Sequence, residues 1–491
     1  MAAAAQASAQ GTLTIGLRDD PDILDPTLGS AYVSRIVYAS MCDKLLDIDA
    51  NLQIVPQLAT SWAFEDPTHL VLHLRPGVVF HDGEPFDAEA VRYKLRRDQT
   101  MKGSMRTGEI NAIDAIEVVD PLTVRLILKA PSSPLLSQLA DRAGVMISPK
   151  AAEAAGAKFG THPVCAGPYQ FESRSAQDSI VLTRFARHWD AASYHFDRIV
   201  FRPIPNGAIR LQNLRAGSLD LVEYILPSDL PTVQADPKLT TAVGDGLAYT
   251  GISFNTQNGP AANTALGQSA LVRRAFEKAI DRDVLNQVVY GGLFLPTIQA
   301  NPPSSPFYVP ALQSPPGRDL AGARALLAQA GTPLPVPVVL TLTNSADNQQ
   351  VAELIQAMAA EAGFAVTLRV QEFASSLSSG YAGDFQAYMI GWSGRSDADG
   401  NMWQQLHTGG TFNYGKWSDP AADALLDRAR IPTDPAERRA LYAQFWDLER
   451  QDLPLMYLWT TKNVIGMKAG LDGFIQVPDG LIRLHGVTLR R

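Results

Sequence analysis

Cysteine is nearly absent. The 491-residue chain holds two, Cys42 and Cys165, and neither sits in a Cys-x-x-Cys. That excludes a zinc ribbon and a thioredoxin-like redox pair. In an exported chain two such cysteines can form one disulfide; the alternative is two small buried thiols. Long apolar runs are also missing, and none approaches the roughly 18 residues of a membrane span. Basic residues are too few for a nucleic-acid binder: Lys+Arg is 42 against Asp+Glu 50, a formal charge of −8. No Gly-x-Ser-x-Gly, His-Glu-x-x-His, P-loop or Gly-x-Gly-x-x-Gly occurs, and the eight histidines are scattered. No catalytic residue, metal site or cofactor is therefore expected.

What is present is a globular composition. Hydrophobic residues make up 46% and charged residues 19%, enough to bury a sizeable core. The length suits about three structural units or two large lobes. The first ten residues, Met1 to Gln10, are mostly Ala, Gln and Ser. Gln6-Ala7-Ser8 and Ser8-Ala9-Gln10 fit the small-residue end of a cleaved export signal, without its charged and apolar parts. An ordinary Ala-rich tail is the other reading.

Periodicity gives the elements. Residues 12–17 alternate like a strand and run into the turn-rich Asp19 to Pro26. Leu70, Leu72 and Leu74 share one face of a strand that ends at Pro76-Gly77. Asp87 caps a helix, with Phe86 and Val91 at the staple positions. Residues 116–128 read as a hairpin about Asp120-Pro121, so residues 50–180 look β-rich and antiparallel. Ser269 opens an amphipathic helix, and Asp281 restarts one carrying Val284, Leu285, Val288 and Val289. Strand 338–342, helix 347–361, strand 366–370, a short helix and strand 385–390 point to a parallel, open α/β sheet. Asp434-Pro435-Ala436-Glu437 is a capping box with proline at the first helical position, opening a helix with Leu441, Phe445 and Leu448. The proline-rich stretch 301–316 reads as a long surface loop.

Two short motifs favour structural readings. His81-Asp82-Gly83 reads as a tight turn in which Gly83 takes a positive φ and Asp82 binds nearby N–H groups, rather than as an acid–base pair. Asp397-Ala398-Asp399-Gly400-Asn401 looks faintly like a calcium loop but lacks the closing acidic residue.

Several separated segments carry a resemblance. They are Val-Pro-Gln-Leu-Ala-Thr-Ser-Trp at 55–62, Leu-Arg-Pro-Gly-Val-Val-Phe-His-Asp-Gly-Glu-Pro-Phe at 74–86 and Asp-Ala-Glu-Ala-Val at 87–91. Ala-Gly-Pro-Tyr at 166–169, Ser-Phe-Asn at 253–255, Val-Arg-Arg-Ala-Phe at 272–276 and Ala-Ile-Asp-Arg at 279–282 follow. Ile-Gly-Trp-Ser-Gly at 390–394 and Pro-Leu-Met-Tyr-Leu at 454–458 are the last. In this order, over residue 12 to the C-terminus, the chain resembles the periplasmic solute-binding proteins of ABC importers, in the dipeptide/oligopeptide/nickel-binding family (extracellular solute-binding protein family 5).

The resemblance implies an α/β fold of two lobes joined by a hinge, with the ligand enclosed between them, and an extra β-rich subdomain. Residues 11–49, 177–248 and 466–491 would form the first lobe, 50–176 its β-rich subdomain and 249–465 the second lobe. The chain would cross near Tyr249-Thr250 and Thr461-Lys462, which would act as the hinge. The His-Asp-Gly turn would then lie away from the cleft. The implied role is a periplasmic, monomeric receptor that captures a small peptide or amino-acid-like solute and delivers it to an inner-membrane permease. Lobe closure would couple binding to transport. No nucleic-acid partner follows. A metallophore, haem or nickel-complex receptor on the same fold is one alternative. An extracytoplasmic hydrolase or transferase is another, but it needs an activated nucleophile or paired acids that no motif supplies.

One position departs from the family. Similar peptide binders place an Asp three residues after the Gly-Trp of a second-lobe strand, where it pairs with the peptide's α-ammonium. Here Gly391-Trp392 is followed at that spacing by Arg395. A guanidinium suits a carboxylate or phosphate, so Arg395 would face an anionic group of the ligand, or else serve an ordinary salt bridge. Asp397 or Asp399 would then take the ammonium. Trp392 would stack on the ligand or pack in the core. The segment 28–32 matches the family's pocket edge, with Ser30 and Tyr32 as contacts.

Overall fold

Alternation along Thr12–Leu17 puts Leu13, Ile15 and Leu17 in the interior at full burial, and this strand organises the first half of the fold. A computed structural model describes residues 11–312 and 315–490. The export-signal reading of residues 1–10 lies outside the described residues. The chain divides into two compact units. The first comprises residues 11–225, 229–244 and 463–490; the second comprises 226–228 and 245–462.

In the first unit, Thr12–Leu17 runs parallel to both Arg198–Pro203 and Leu221–Val222. Ser179–Arg184 and Tyr169–Ser175 continue the sheet antiparallel. A separate four-stranded antiparallel sheet is ordered Ala59–Asp66, His69–Leu74, Thr123–Leu128, Ile113–Asp120. The leucines at 70, 72 and 74 pool with Val124, Leu126 and Leu128 in one core, which also takes Phe86 and Val91. Those last two belong to the start of the helix Ala88–Thr100, whose first turn is capped by Asp87 accepting from the Ala90 amide at 3.0 Å. On the far side of that helix, Arg97 grips Asp25 through two hydrogen bonds of 2.9 and 2.7 Å, fixing the turn-rich segment after the first strand.

Cys42 and Cys165 are bonded, 123 residues apart. Beside them the His-Asp-Gly turn is a turn: Gly83 has φ +90°, and Asp82 accepts from the Glu84 amide at 3.2 Å and the Ser148 hydroxyl at 2.6 Å. Burial lowers the His81 pKa to about 4. The geometry demands the same neutral ring: Nδ1 accepts from the Cys165 amide at 3.3 Å, so Nε2 carries the proton it donates to the Gly167 carbonyl at 3.0 Å.

In the second unit, Phe364–Gln371, Val336–Thr343 and Ala387–Trp392 lie side by side and parallel. The next strand, Leu239–Phe254, pairs antiparallel with Ala387–Trp392. The first three strands are parallel, as their alternation with helices predicts, and the sheet becomes mixed where Leu239–Phe254, which brings the chain into this unit, enters in the opposite direction. Helices open on their expected caps, Ser269, Asp281 and Asp434, each accepting from an amide in the first turn.

Of the four apolar residues read onto the helix Arg282–Tyr290, Leu285 and Val289 reach the core, while Val284 and Val288 are exposed. The four residues span a wider arc than the helix buries. The proline-rich stretch is a loop with Pro303, Pro306 and Pro310 exposed, anchored inward by the buried Asn301, Phe307 and Val309. Gln299 fastens this segment by accepting from the Val309 amide at 2.9 Å and donating to its carbonyl at 3.0 Å.

The strands Leu239–Phe254 and Leu455–Lys468 each carry the chain from one unit to the other. The divisions fall after Gly244 and after Lys462, a few residues before the sequence-based boundaries. Tyr249 and Thr250 are paired in the ladder with Trp392 and Gly391, so they sit inside the second unit rather than at the crossing. Thr461 and Lys462 end that unit, and Lys462 forms an ion pair with Asp245 at 3.4 Å.

Candidate functional site

The strand Ala387–Trp392 buries Tyr388 and Met389 and ends in Gly391-Trp392, where the chain turns sharply. Gly394 makes that turn at φ +72°, and a Cβ there would lie 2.2 Å from the Leu247 carbonyl oxygen. The helix Asp399–Leu406 follows. Gly400 in its first turn lets the Arg395 side chain lie close, since a Cβ at 400 would meet Arg395 Cγ at 2.5 Å.

Asn401, 1% exposed, organises the loop between strand and helix. Its Oδ1 accepts from the Arg395 amide at 2.7 Å and from Trp392 Nε1 at 3.2 Å. Its Nδ2 donates to the Arg395 carbonyl at 3.0 Å and to Asn301 Oδ1 at 3.3 Å. One side-chain amide thus fixes residues 392–395 through three hydrogen bonds and ties them to Asn301 through a fourth. The Arg395 guanidinium lies over the Trp392 ring at 4.5 Å and donates to Ser393 Oγ at 3.1 Å and the Gly394 carbonyl at 2.6 Å. Trp392 packs in turn against Phe412, with ring centroids 4.8 Å apart. The result is a cation on an aromatic face, held by a loop with little freedom.

Asp397 and Asp399 differ from expectation. Arg438 donates to both Asp397 oxygens, at 2.6 and 2.7 Å, in a pair whose side chains are only 4% and 11% exposed. Arg430 holds both Asp399 oxygens, at 2.6 and 3.1 Å, while lying over the Trp403 ring at 4.3 Å. Each carboxylate charge already has a guanidinium partner, which argues against a role in taking an ammonium. The oxygen spacing that looked faintly like a calcium loop instead anchors the segment to the helix Pro435–Asp452 and to the turn after the helix Pro420–Arg428.

In the first unit, the Ser30 amide and hydroxyl both donate to Asp22 Oδ2, at 2.7 and 2.9 Å. Asp22 also accepts from the Ala31 amide and the Ser34 hydroxyl, tying down the start of the helix Tyr32–Met41. The Ser30 carbonyl accepts from Arg142 at 2.8 Å. The Tyr32 hydroxyl donates to the Gly480 carbonyl at 2.6 Å. Sequence reasoning missed Asn401, Asn301, Arg430 and Arg438. The one signal was the polar density of residues 395–401, whose likeness to a calcium loop was faint and incomplete.

Known proteins share this architecture. Residues 53–413 match the bacterial extracellular solute-binding proteins, family 5, Middle. The glutathione-binding protein GsiB of Pectobacterium atrosepticum is 29% identical over 480 residues, 95% of this chain and 92% of that protein. The periplasmic binding protein DppA from Helicobacter pylori, solved with the peptide STSA, is similar at TM-score 0.90 and 25% identity, covering 99% of both chains. AgaA from A. tumefaciens R10, solved with agropinic acid, gives TM-score 0.89 at 26% identity, over 98% of this chain and 99% of that one. These likenesses define the class, a periplasmic-binding-protein fold serving as a solute receptor for ABC importers. The chain belongs to the bacterial extracellular solute-binding proteins, family 5. Among the described residues no helix is long and apolar enough to cross a membrane.

Proposed function

We propose that the solute is a short peptide or amino-acid derivative bearing a carboxylate, and that Arg395 on the face of Trp392 receives that carboxylate. The observation that carries this reading is the placement of Arg395 over Trp392 at 4.5 Å, in a loop fixed by Asn401. A guanidinium held in place loses little freedom when a carboxylate docks on it. The relatives support the solute class: GsiB is named for glutathione, and AgaA holds agropinic acid. In this reading Asp397 and Asp399 position the loop rather than touch the solute. The protein works in the periplasm as a monomer, releases the solute chemically unchanged to an inner-membrane permease and performs no catalysis.

Calorimetric titration of Arg395→Ala with glutathione tests the assignment. A lost charge-assisted hydrogen-bond pair predicts affinity weaker by about tenfold or more. Arg395→Lys should recover only part of it, because an ammonium cannot present two parallel N–H bonds. Wild-type affinity in Arg395→Ala would sink the proposal.

A further inference from the structure

The first unit holds a second arginine in an arrangement that its own packing does not require. Arg18 directly follows the strand Thr12–Leu17, and Glu223 directly follows its parallel neighbour Leu221–Val222. Both therefore stand at the carboxyl ends of adjacent parallel strands, the edge at which open α/β sheets receive ligands. The Arg18 backbone amide and Nε both donate to Glu223 Oε1, at 2.9 and 3.0 Å. The Glu223 side chain is fully buried, while that of Arg18 is 40% exposed. Two tyrosine rings flank the guanidinium carbon, Tyr224 at 4.8 Å and Tyr32 at 5.4 Å. Among the described residues the two Nη groups of Arg18 make no hydrogen bond.

These contacts fix the guanidinium plane. Glu223 takes the Nε side, and the tyrosine rings lie within cation–π range. The remaining pair of Nη groups is the edge that grips a carboxylate through two parallel bonds. An arginine needed only as a salt-bridge partner would gain little from this exposure. We infer that the first unit carries a carboxylate-receiving subsite of its own, with Arg18 as the receiving group, Glu223 as the residue that positions it, and Tyr32 and Tyr224 as its flanks. Tyr32 then acts through its ring, since its hydroxyl is spent on Gly480. The inference rests on reading the solute as a carboxylate-bearing peptide derivative, and it adds that this solute carries a second carboxylate.

Glutathione has two carboxylates, and each can be converted singly to its amide. Titration of wild type, Arg18→Ala, Arg18→Lys and Arg395→Ala with glutathione and the two monoamides separates the roles. Arg18→Ala is expected to weaken glutathione by about tenfold or more. With one monoamide the Arg18→Ala effect should shrink to less than about twofold, and Arg395→Ala should show the same behaviour with the other. Arg18→Lys, which keeps the charge without the fork, should fall between. Arg18→Ala within twofold of wild type for glutathione overturns the subsite, as does equal loss with both monoamides. If Arg395→Ala alone behaves as wild type, the second-unit assignment fails while Arg18 stands. If wild type binds none of the three probes, both readings fall.

Discussion

Asp397→Ala lowers the stability of the second unit by about 3–5 kcal/mol, the cost of leaving a buried guanidinium without its counter-charge. Arg438 holds both Asp397 oxygens, with its Nε on the Ala429 carbonyl and its guanidinium over Phe307 at 4.5 Å. Burial alone would lower the Arg438 pKa, but the Asp397 charge overrides it and holds the pKa above its usual value. The substitution removes the group that makes the charged form tolerable. Asp397→Asn keeps the shape and one acceptor but not the charge, and should fall between alanine and wild type. Replacing both partners, Asp397→Leu with Arg438→Met, should recover most of the loss, because no orphan charge remains. Urea unfolding followed by tryptophan fluorescence reads this out, since Trp392, Trp403, Trp417, Trp446 and Trp459 all lie in the second unit. A single-variant loss below about 1 kcal/mol would place the pair among ordinary surface bridges and contradict the burial argument.

Cys42→Ser with Cys165→Ser lowers the stability of the first unit by about 2–5 kcal/mol. The bond closes a loop of 123 residues that contains the whole four-stranded sheet and its covering helix. Chain-entropy reasoning gives about 5 kcal/mol for a loop near this length, with smaller losses where the unfolded chain keeps structure. The bond sits in a tightly packed place, since a Cβ on Gly167 would come within 2.4 Å of the Met41 carbonyl. Calorimetry with and without a reductant separates the bond from the serines. Wild type should lose thermal stability on reduction, and the double variant should start low and not respond. Wild type indifferent to complete reduction would contradict the prediction.

Local chemistry explains what the sequence revealed of the fold. Caps at Asp87, Ser269, Asp281 and Asp434 are decided by residues within one turn, and the alternation of Leu70, Leu72 and Leu74 by a strand's own period. The parallel pairing of Val336–Thr343 with Phe364–Gln371 and Ala387–Trp392 follows from their alternation with helices, whereas the antiparallel pairing of Leu239–Phe254 with Ala387–Trp392 is a long-range event that no local pattern marks. The site was legible only in outline. Gly391-Trp392 and the shift from acid to arginine at 395 stand out in a short stretch of sequence. The partners that commit Asp399 and Asp397 lie 31 and 41 residues away, and the Asn301 that meets Asn401 lies 100 residues away. No local periodicity marks such residues. A buried asparagine at a helix start and an arginine inside an amphipathic helix look like surface residues until the chain folds around them.

The central claim is that this protein holds a carboxylate-bearing peptide-like solute and lets it go intact. Native mass spectrometry of the protein incubated with glutathione tests it most directly. The predicted result is one glutathione per chain, weakened by Arg395→Ala and recovered at its original mass after denaturation. Recovery of a cleaved or modified molecule, or no retained glutathione at concentrations that saturate a micromolar site, would contradict it.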